Sequence, residues 1–155
     1  MKSINDLLNE YGESHQNPVN KIIHWVCVPF IVYSLLGLIW LIPFPKIFNT
    51  LPVLINWAVL LVALSMIYYV LVSKKLAMGI LLIFLIMLFS IYGLTQTGIS
   101  LLKLSTVVFV LAWIGQFIGH SREGKRPSFI KDIQFLLIGP LWLLSFMYKK
   151  LGISY

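Results

Sequence analysis

Four long apolar runs constrain the fold of this chain more than any other feature of its sequence. They are separated by short polar segments, and no aspartate or glutamate occurs between Ser14 and Arg122. Each run is close to the roughly 20 residues that a helix needs to cross a hydrocarbon core of ~30 Å. The runs are continuous rather than alternating, which favours helices over the strands of a membrane barrel. The predicted membrane-spanning segments are residues 22–42, 51–72, 76–94 and 99–119.

A fifth apolar segment, residues 133–148, is shorter and contains Gly139-Pro140. Proline lacks a backbone N–H and its ring clashes with the preceding turn, so it breaks or kinks a helix. With 59% hydrophobic and 11% charged residues, the chain has more apolar surface than a soluble domain of this size can bury. The sequence therefore predicts one all-α integral membrane domain over residues 1–155. It would be a bundle of four transmembrane helices plus a C-terminal kinked, re-entrant or fifth spanning helix.

Basic residues are distributed unevenly between the two sides of this predicted bundle. Only Lys46 and Lys103 would lie on one side. The other side would carry Lys2, Lys21, Lys74, Lys75, Arg122, Lys125, Arg126 and Lys131. The positive-inside rule then places the amino terminus and the 120–132 loop in the cytoplasm, at a bacterial inner membrane or, in a eukaryote, at the endoplasmic reticulum. The net charge of +7 lies in these juxtamembrane flanks, so anionic lipid headgroups are the expected partners and nucleic acid is not.

The first polar segment contains two of the three histidines of the chain, His15 and His24. Asn17 is a natural helix N-cap and Pro18 suits the first helical position. His15 would then precede the helix, and His24 would lie about two turns inside it. Chain reversal at the cap can bring the two imidazoles together, although the spacing does not require it. Asn20 lies four residues before His24 on the same helix face, where it can orient the ring.

The second polar segment ends the fourth predicted span with the third histidine, His120. Gln116 lies four residues before His120, which is the same spacing as that between Asn20 and His24 in the first segment. If the helix continues for one more turn, Glu123 falls on the His120 face before Gly124 ends the helix. A His-x-x-Glu pair on one helix face matches the geometry of metal-carboxylate helical bundles.

The predicted topology brings these two segments to one side of the membrane. The first span begins there and the fourth ends there, so His24 and His120 are expected at similar depth. Three neutral imidazoles with a carboxylate suit a first-row metal ion. Histidines combined with oxygen ligands and open positions suit ferrous iron and dioxygen, and zinc is also chemically possible.

Each of these polar residues also has a simpler interpretation. A single interfacial histidine is more often a hydrogen-bonded surface residue than a ligand, and only the convergence of all three favours a site. Glu123 is a weaker candidate, because an acid in a basic loop is often a solvated charge partner. Arg122, Lys125 and Arg126 can hold a carboxylate or phosphate headgroup, but positive-inside flanking explains them equally well.

At these residues the sequence resembles the Mpo1-like proteins, a domain family related to yeast 2-hydroxy fatty acid dioxygenase. The matching residues are Tyr11, His15, Asn20, His24 and Pro29, then Gln116, Phe117, Ile118, Gly119, His120, Glu123 and Pro127. Apolar spans of similar number separate the two blocks, so the resemblance covers nearly the whole chain. It implies an iron(II)-dependent dioxygenase that shortens a long-chain 2-hydroxy fatty acid by one carbon, as in fatty acid α-oxidation. The three histidines would be the catalytic iron ligands, supported by Asn20, Gln116 and Tyr11.

Three functional hypotheses follow. The first is this membrane-embedded dioxygenase, which would use Fe²⁺, dioxygen and a 2-hydroxy fatty acid whose carboxylate and hydroxyl chelate the metal. The second is a non-catalytic membrane protein whose histidines and basic loop bind lipid headgroups or a partner. The third is a hydrolase or desaturase-like enzyme with another metal, which is disfavoured because three histidines are too few for a histidine-rich di-iron site.

Overall fold

Helices account for all the regular secondary structure in residues 3–45, 56–124 and 134–155, the part of the chain that the computed structural model describes. In chain order they are α1 (Ile4–Gly12), α2 (Pro18–Trp40), α3 (Trp57–Val72), α4 (Lys74–Thr95), α5 (Leu101–Glu123) and α6 (Gln134–Lys150). The all-α fold predicted from the sequence is therefore confirmed within these residues.

Three of the helices, α2, α4 and α5, are long and apolar enough to cross a membrane. They contain 23, 22 and 23 residues, or about 33 Å at 1.5 Å per residue. Their outer faces carry exposed apolar side chains, among them Ile22, Met78 and Leu111, as lipid contact requires. Helix α3 is apolar but has 16 residues. The first five residues of its predicted span, 51–55, lie outside the described residues, so three of the four predicted spans have the required length.

The ends of α2 and α5 agree with the capping signals in the sequence. The side chain of Asn17 accepts hydrogen bonds from the backbone N–H groups of Val19 and Asn20, and α2 begins at Pro18. At its other end α5 continues to Glu123 and stops at Gly124, which adopts φ 70°. Glycine reaches this left-handed conformation without steric cost. Both predicted boundaries are confirmed, and they lie at the same end of the bundle.

Small residues allow α2 and α5 to pack closely, which is typical of helix pairs in membranes. A Cβ at Gly115 would lie 2.6 Å from the Sγ atom of Cys27. A Cβ at Gly119 would meet the side chain of Asn20, and one at Gly37 would meet that of Ser105. The contacts at Gly115 and Gly119 lie near the histidines and the contact at Gly37 lies toward the other end of α2, so together they fix the position of α5 along α2.

Helix α6 runs without a break through Pro140. Proline removes one hydrogen bond from a helix interior, but here Ile138 and Leu141 on either side are fully buried, so tertiary packing stabilises the helical path. Its 17 residues measure about 25 Å, which is less than a hydrocarbon core of ~30 Å. The Tyr69 hydroxyl donates to the Leu137 carbonyl oxygen at 3.0 Å, anchoring α6 to α3.

The sequence patterns did not predict α1. Ser3 and Asp6 form a capping box at its start, with the Asp6 N–H donating to the Ser3 hydroxyl and the Ser3 N–H donating to the Asp6 carboxylate. Leu7, Leu8 and Tyr11 form its buried face. The helix packs against α6, so elements from the two ends of the chain contact each other beside the histidines.

Candidate metal centre

The three histidines converge at the end of the bundle where α2 begins and α5 ends. His15 lies between α1 and α2, His24 is in α2, and His120 is in α5. Their side chains are 1%, 1% and 4% exposed. One nitrogen from each ring can be chosen so that all three lie within 4.8 Å of one another. The convergence that topology predicted for His24 and His120 is thus observed, and His15 joins them.

Backbone carbonyl groups fix the orientation of two of the rings. The Nδ1 atom of His15 is 2.6 Å from the carbonyl oxygen of Tyr11, and the Nδ1 atom of His24 is 2.9 Å from that of Asn20. A carbonyl oxygen only accepts hydrogen bonds, so both Nδ1 atoms carry the hydrogen and donate. Each neutral ring therefore presents a bare lone pair at Nε2, which is the tautomer that a metal ligand requires.

These two Nε2 atoms face each other at 2.9 Å. Because neither carries a hydrogen in the neutral rings, their lone pairs repel unless a cation lies between them. Two nitrogens bound to one ion at about 2.1 Å, at a right angle, lie about 3.0 Å apart. The His15 and His24 pair therefore fits two adjacent ligands of a single first-row metal ion.

Burial keeps the His15 imidazole neutral. The low-dielectric surroundings, followed by the repulsion from the His24 ring, lower the pKa of His15 to about 3. A protonated imidazole cannot bind a metal, so this shift preserves the ligand form well below neutral pH. Tyr11 contributes to the same surroundings, because its ring stacks on His15 with a centroid distance of 4.3 Å.

Three buried polar atoms near the histidines have no hydrogen-bond partner among the described residues. They are Nδ1 of His120, Nε2 of Gln116 and Oδ1 of Asn20. An unsatisfied buried polar group costs about 1–3 kcal/mol. His120 and Gln116 both line a small cavity, and a polar ligand or ordered water that bonds to these two atoms there would remove the cost. The arrangement fits a metal ion with further oxygen ligands.

The cavity between the histidines, called the histidine cavity below, has a volume of about 40 Å³. Its lining combines the polar residues His15, His24, His120, Gln116 and Tyr11 with the apolar residues Val28, Ile31, Val32, Trp113, Phe135, Leu136 and Gly139. A single water molecule needs about 10–15 Å³ of cavity volume. The histidine cavity therefore has room for an ion with a few small ligands.

Glu123 lies at the edge of this site and bonds to the start of α2. Its Oε1 atom accepts from the Gln16 N–H at 2.8 Å. Its Oε2 atom accepts from the Asn17 N–H at 2.9 Å and from the Asn20 side-chain amide at 3.1 Å. Both carboxylate oxygens are thus bonded to N–H donors, and within residues 3–45, 56–124 and 134–155 the candidate metal-binding group consists of the three histidines without Glu123. Asn20 contacts His24 through its backbone carbonyl, while its side chain points to Glu123.

We expect Glu123→Gln to leave metal content close to that of the unchanged protein while lowering its stability. Glutamine keeps the size of the side chain but replaces one acceptor oxygen with an NH₂ group, which would face a backbone N–H. The lost bond should cost about 1–3 kcal/mol, measured as a lower midpoint of thermal unfolding in detergent. Parallel loss of metal and activity in this variant would contradict the expectation and indicate that Glu123 binds the metal.

The three basic residues predicted to hold a carboxylate are only partly described. Arg122 is exposed at the end of α5, and its carbonyl oxygen accepts from the Asn17 side chain at 3.4 Å. Lys125 and Arg126 lie outside the described residues. Two lysines that sequence reasoning missed, Lys21 and Lys149, line a polar cavity of about 270 Å³ that also reaches His15. These two lysines are far apart in the sequence, so no local pattern predicts that they line the same cavity.

Comparisons with known proteins give the family of this chain. A family model described as 2-hydroxy-palmitic acid dioxygenase Mpo1-like matches residues 1–151. The 2-hydroxy-palmitic acid dioxygenase MPO1 of Saccharomyces cerevisiae is 30% identical over 148 residues, which cover 94% of this chain and 79% of the yeast protein. No solved structure matches the chain. Because the family model spans both histidine segments and nearly all of the sequence between and after them, this protein belongs to the Mpo1-like family.

Proposed function

We propose that this protein is a membrane-embedded, iron(II)-dependent dioxygenase that shortens long-chain 2-hydroxy fatty acids by one carbon. The observation that carries the proposal is the pair of bare Nε2 atoms of His15 and His24, 2.9 Å apart and beside His120 in a buried cavity. The printed name of the yeast relative gives the substrate class. A buried three-histidine site distinguishes this proposal from a protein that only binds headgroups at its surface.

Iron(II) is the metal we favour for this site. Neutral imidazoles suit several first-row ions, and ferrous iron with open positions supplies the reactivity toward dioxygen that the reaction requires. The three histidines would hold the ion. A 2-hydroxy acid offers a hydroxyl and a carboxylate oxygen on adjacent carbons, so it suits the positions that the histidines leave free.

The reaction balances without an external reductant. A 2-hydroxy acid RCH(OH)COOH and O₂ give RCOOH, CO₂ and H₂O. The bond between C1 and C2 breaks, C2 loses three electrons, C1 loses one, and dioxygen accepts all four. The chain needs no binding site for a nicotinamide or flavin to complete this conversion.

The protein groups around the site have three tasks in this proposal. The Tyr11 and Asn20 carbonyl groups hold His15 and His24 in the ligand tautomer. The aromatic ring of Tyr11 covers His15 and limits the access of water. Lys21 and Lys149 line the polar cavity that also reaches His15, and with two lysines against the one acid Glu13 they would favour the approach of a carboxylate head. Lys125 and Arg126 remain predicted contributors to the same attraction.

The proposal is tested with the full chain purified in detergent and supplied with ferrous iron under anaerobic conditions. After removal of free iron, we expect one iron per chain. On admission of oxygen, 2-hydroxypalmitate should give an odd-chain acid and CO₂, each equal to the oxygen consumed. Absence of turnover with any long-chain 2-hydroxy acid, despite bound iron, would overturn the proposal. A protein that binds no metal would support the non-catalytic alternative instead.

The orientation of the site is a separate proposal that rests on charge asymmetry. We infer that the histidine end of the bundle faces the cytoplasm, at the inner membrane of a bacterial host or the endoplasmic reticulum of a eukaryotic one. In a Cys27→Ser background, cysteines at Ser14 and Ser121 should both be protected from an impermeant thiol reagent added to intact cells. Both should react after the membrane is opened. Labelling of both in intact cells would reverse the orientation.

A further inference from the structure

A second cavity lies between α2, α4 and α6. It has a volume of about 100 Å³ and is lined by apolar and aromatic residues, among them Val28, Val32, Ile83, Phe84, Pro140 and Leu143. We call it the apolar cavity. Several of its walls are deeply buried, with Phe84 and Leu143 both 6% exposed. A cavity with such walls stays dry and accepts hydrocarbon.

The apolar cavity adjoins the histidine cavity. Val28 and Val32 line both, and they are one turn apart on the same face of α2. On α6, Gly139 lines the histidine cavity and the next residue, Pro140, lines the apolar cavity. The two cavities therefore lie side by side along α2, with α6 contributing to the wall of both. We refer to the two adjoining cavities together as the path. The path has polar groups only at the histidine end.

The path differs from the lipid-facing surface of the same helices. Val26 on α2 and Ile86 on α4 are 53% and 61% exposed and lie outside the apolar cavity. Ile83, three residues from Ile86 along α4, lines the cavity and packs against the buried core. A chain beside Ile83 would thus contact the packed side of α4, whereas one beside Val26 or Ile86 would remain in the bilayer.

We propose that the apolar cavity binds the alkyl chain of the 2-hydroxy fatty acid, with Val28 and Val32 at the passage and Ile83 among the residues that limit chain length. This rests on the proposed function, because cleavage between C1 and C2 requires the polar head at the histidines. The histidine cavity is too small to hold a long alkyl chain in addition to the polar head, so the chain must extend beyond it. The apolar cavity is the adjoining space lined by hydrophobic residues.

A matched pair of substitutions on α4 tests the proposal. Ile83→Trp fills the apolar cavity, while Ile86→Trp makes the same change on the lipid-facing side. Forcing a chain into an overfilled apolar site costs about tenfold or more. We expect Ile83→Trp to lower the ratio of kcat/KM for 2-hydroxypalmitate to that for 2-hydroxyoctanoate by at least about tenfold, with Ile86→Trp unchanged. An unchanged ratio in both variants, or equal loss with both substrates in Ile83→Trp, would overturn it.

A second measurement does not depend on turnover or on the folding of a variant. The iron-loaded protein is irradiated without oxygen in the presence of a 2-hydroxy fatty acid that carries a diazirine near its methyl end. We expect labelling at cavity-lining residues of α4 and α6, between residues 80–87 and 140–147, that unlabelled 2-hydroxypalmitate prevents. Labelling confined to exposed faces, or cavity labelling only by a diazirine phospholipid that the acid does not displace, would overturn the proposal.

The two measurements separate this proposal from the proposed function. Competed labelling of the cavity in a protein without turnover would support chain binding and reject the dioxygenase reaction. Turnover with labelling only on the lipid-facing side would support the reaction and reject the chain site.

Discussion

Replacing any one of His15, His24 or His120 with alanine is expected to abolish turnover and remove most of the bound iron. Each ring supplies one of the three converging nitrogens found among the described residues, so a single loss would leave only two of the proposed ligands. Removal of a group that supports a metal ligand lowers metal affinity or activity by about 10- to 100-fold. Removal of a ligand itself should lower both by more than this. Iron content per chain and oxygen consumption measure the effect. Double substitutions should be no worse than single ones, because residues of one site are not additive.

Substitutions beside the ligands provide the controls. Tyr11→Phe keeps both the backbone carbonyl that holds His15 and the stacked ring, so it should retain metal. Asn20→Ala likewise keeps the backbone carbonyl that holds His24, so it should retain metal while losing the bond to Glu123. Gln116→Ala should reduce iron affinity or activity by about 10- to 100-fold. Every variant should keep its helical content in detergent. Full metal occupancy after loss of a histidine, with additive effects on activity, would mean that the three rings act independently.

Gly119→Leu is expected to inactivate the protein by separating α5 from α2. A Cβ at this position would meet the side chain of Asn20 and lie 3.2 Å from Cγ2 of Ile23. Because the neighbouring residue is His120, the helix shift that relieves the contact moves a proposed metal ligand. A displacement of about 1 Å can cost about 100-fold in rate. Activity and iron content should therefore both fall by at least about that factor.

The matched control is Gly93→Leu in α4. A Cβ at Gly93 meets nothing within 4 Å among the described residues, so the same change should leave turnover and metal content close to normal. Equal losses of turnover and iron content in both variants would mean that leucine in place of glycine causes the effect wherever it stands in a helix. Normal activity in Gly119→Leu would show that close packing of α2 and α5 is not needed to place the histidines.

The long elements of the fold could be predicted because their signals are local. Continuous apolar runs correspond to α2 through α5, and Asn17 with Pro18 marks the start of α2 where it is observed. Gly124 likewise marks the end of α5. Once these boundaries are known, an even number of crossings brings His24 and His120 to one end of the bundle. This part of the candidate site follows from connectivity without knowledge of side-chain packing.

The remaining features depend on contacts between distant residues or on backbone atoms. The groups that orient His15 and His24 are carbonyl oxygens, which every residue possesses and no sequence pattern identifies. Glu123 was considered as a metal ligand, yet its carboxylate bonds to the start of α2 more than 100 residues away in the chain. Pro140 predicts a helix interruption, but burial of α6 against its neighbours stabilises a continuous helix.

The contact between the two ends of the chain determines the order in which the site can be assembled during biosynthesis. Tyr11 and His15 leave the ribosome well before Phe135 and Trp142, whose rings lie 6.0 and 5.4 Å from that of Tyr11. The histidines thus enter the membrane before the helix that covers them exists. A chain that ends at Gly124 should retain all three ligands but release iron faster than the full chain. Enclosure of the histidines is accordingly a later step than their synthesis, completed only when α6 has been made and has docked.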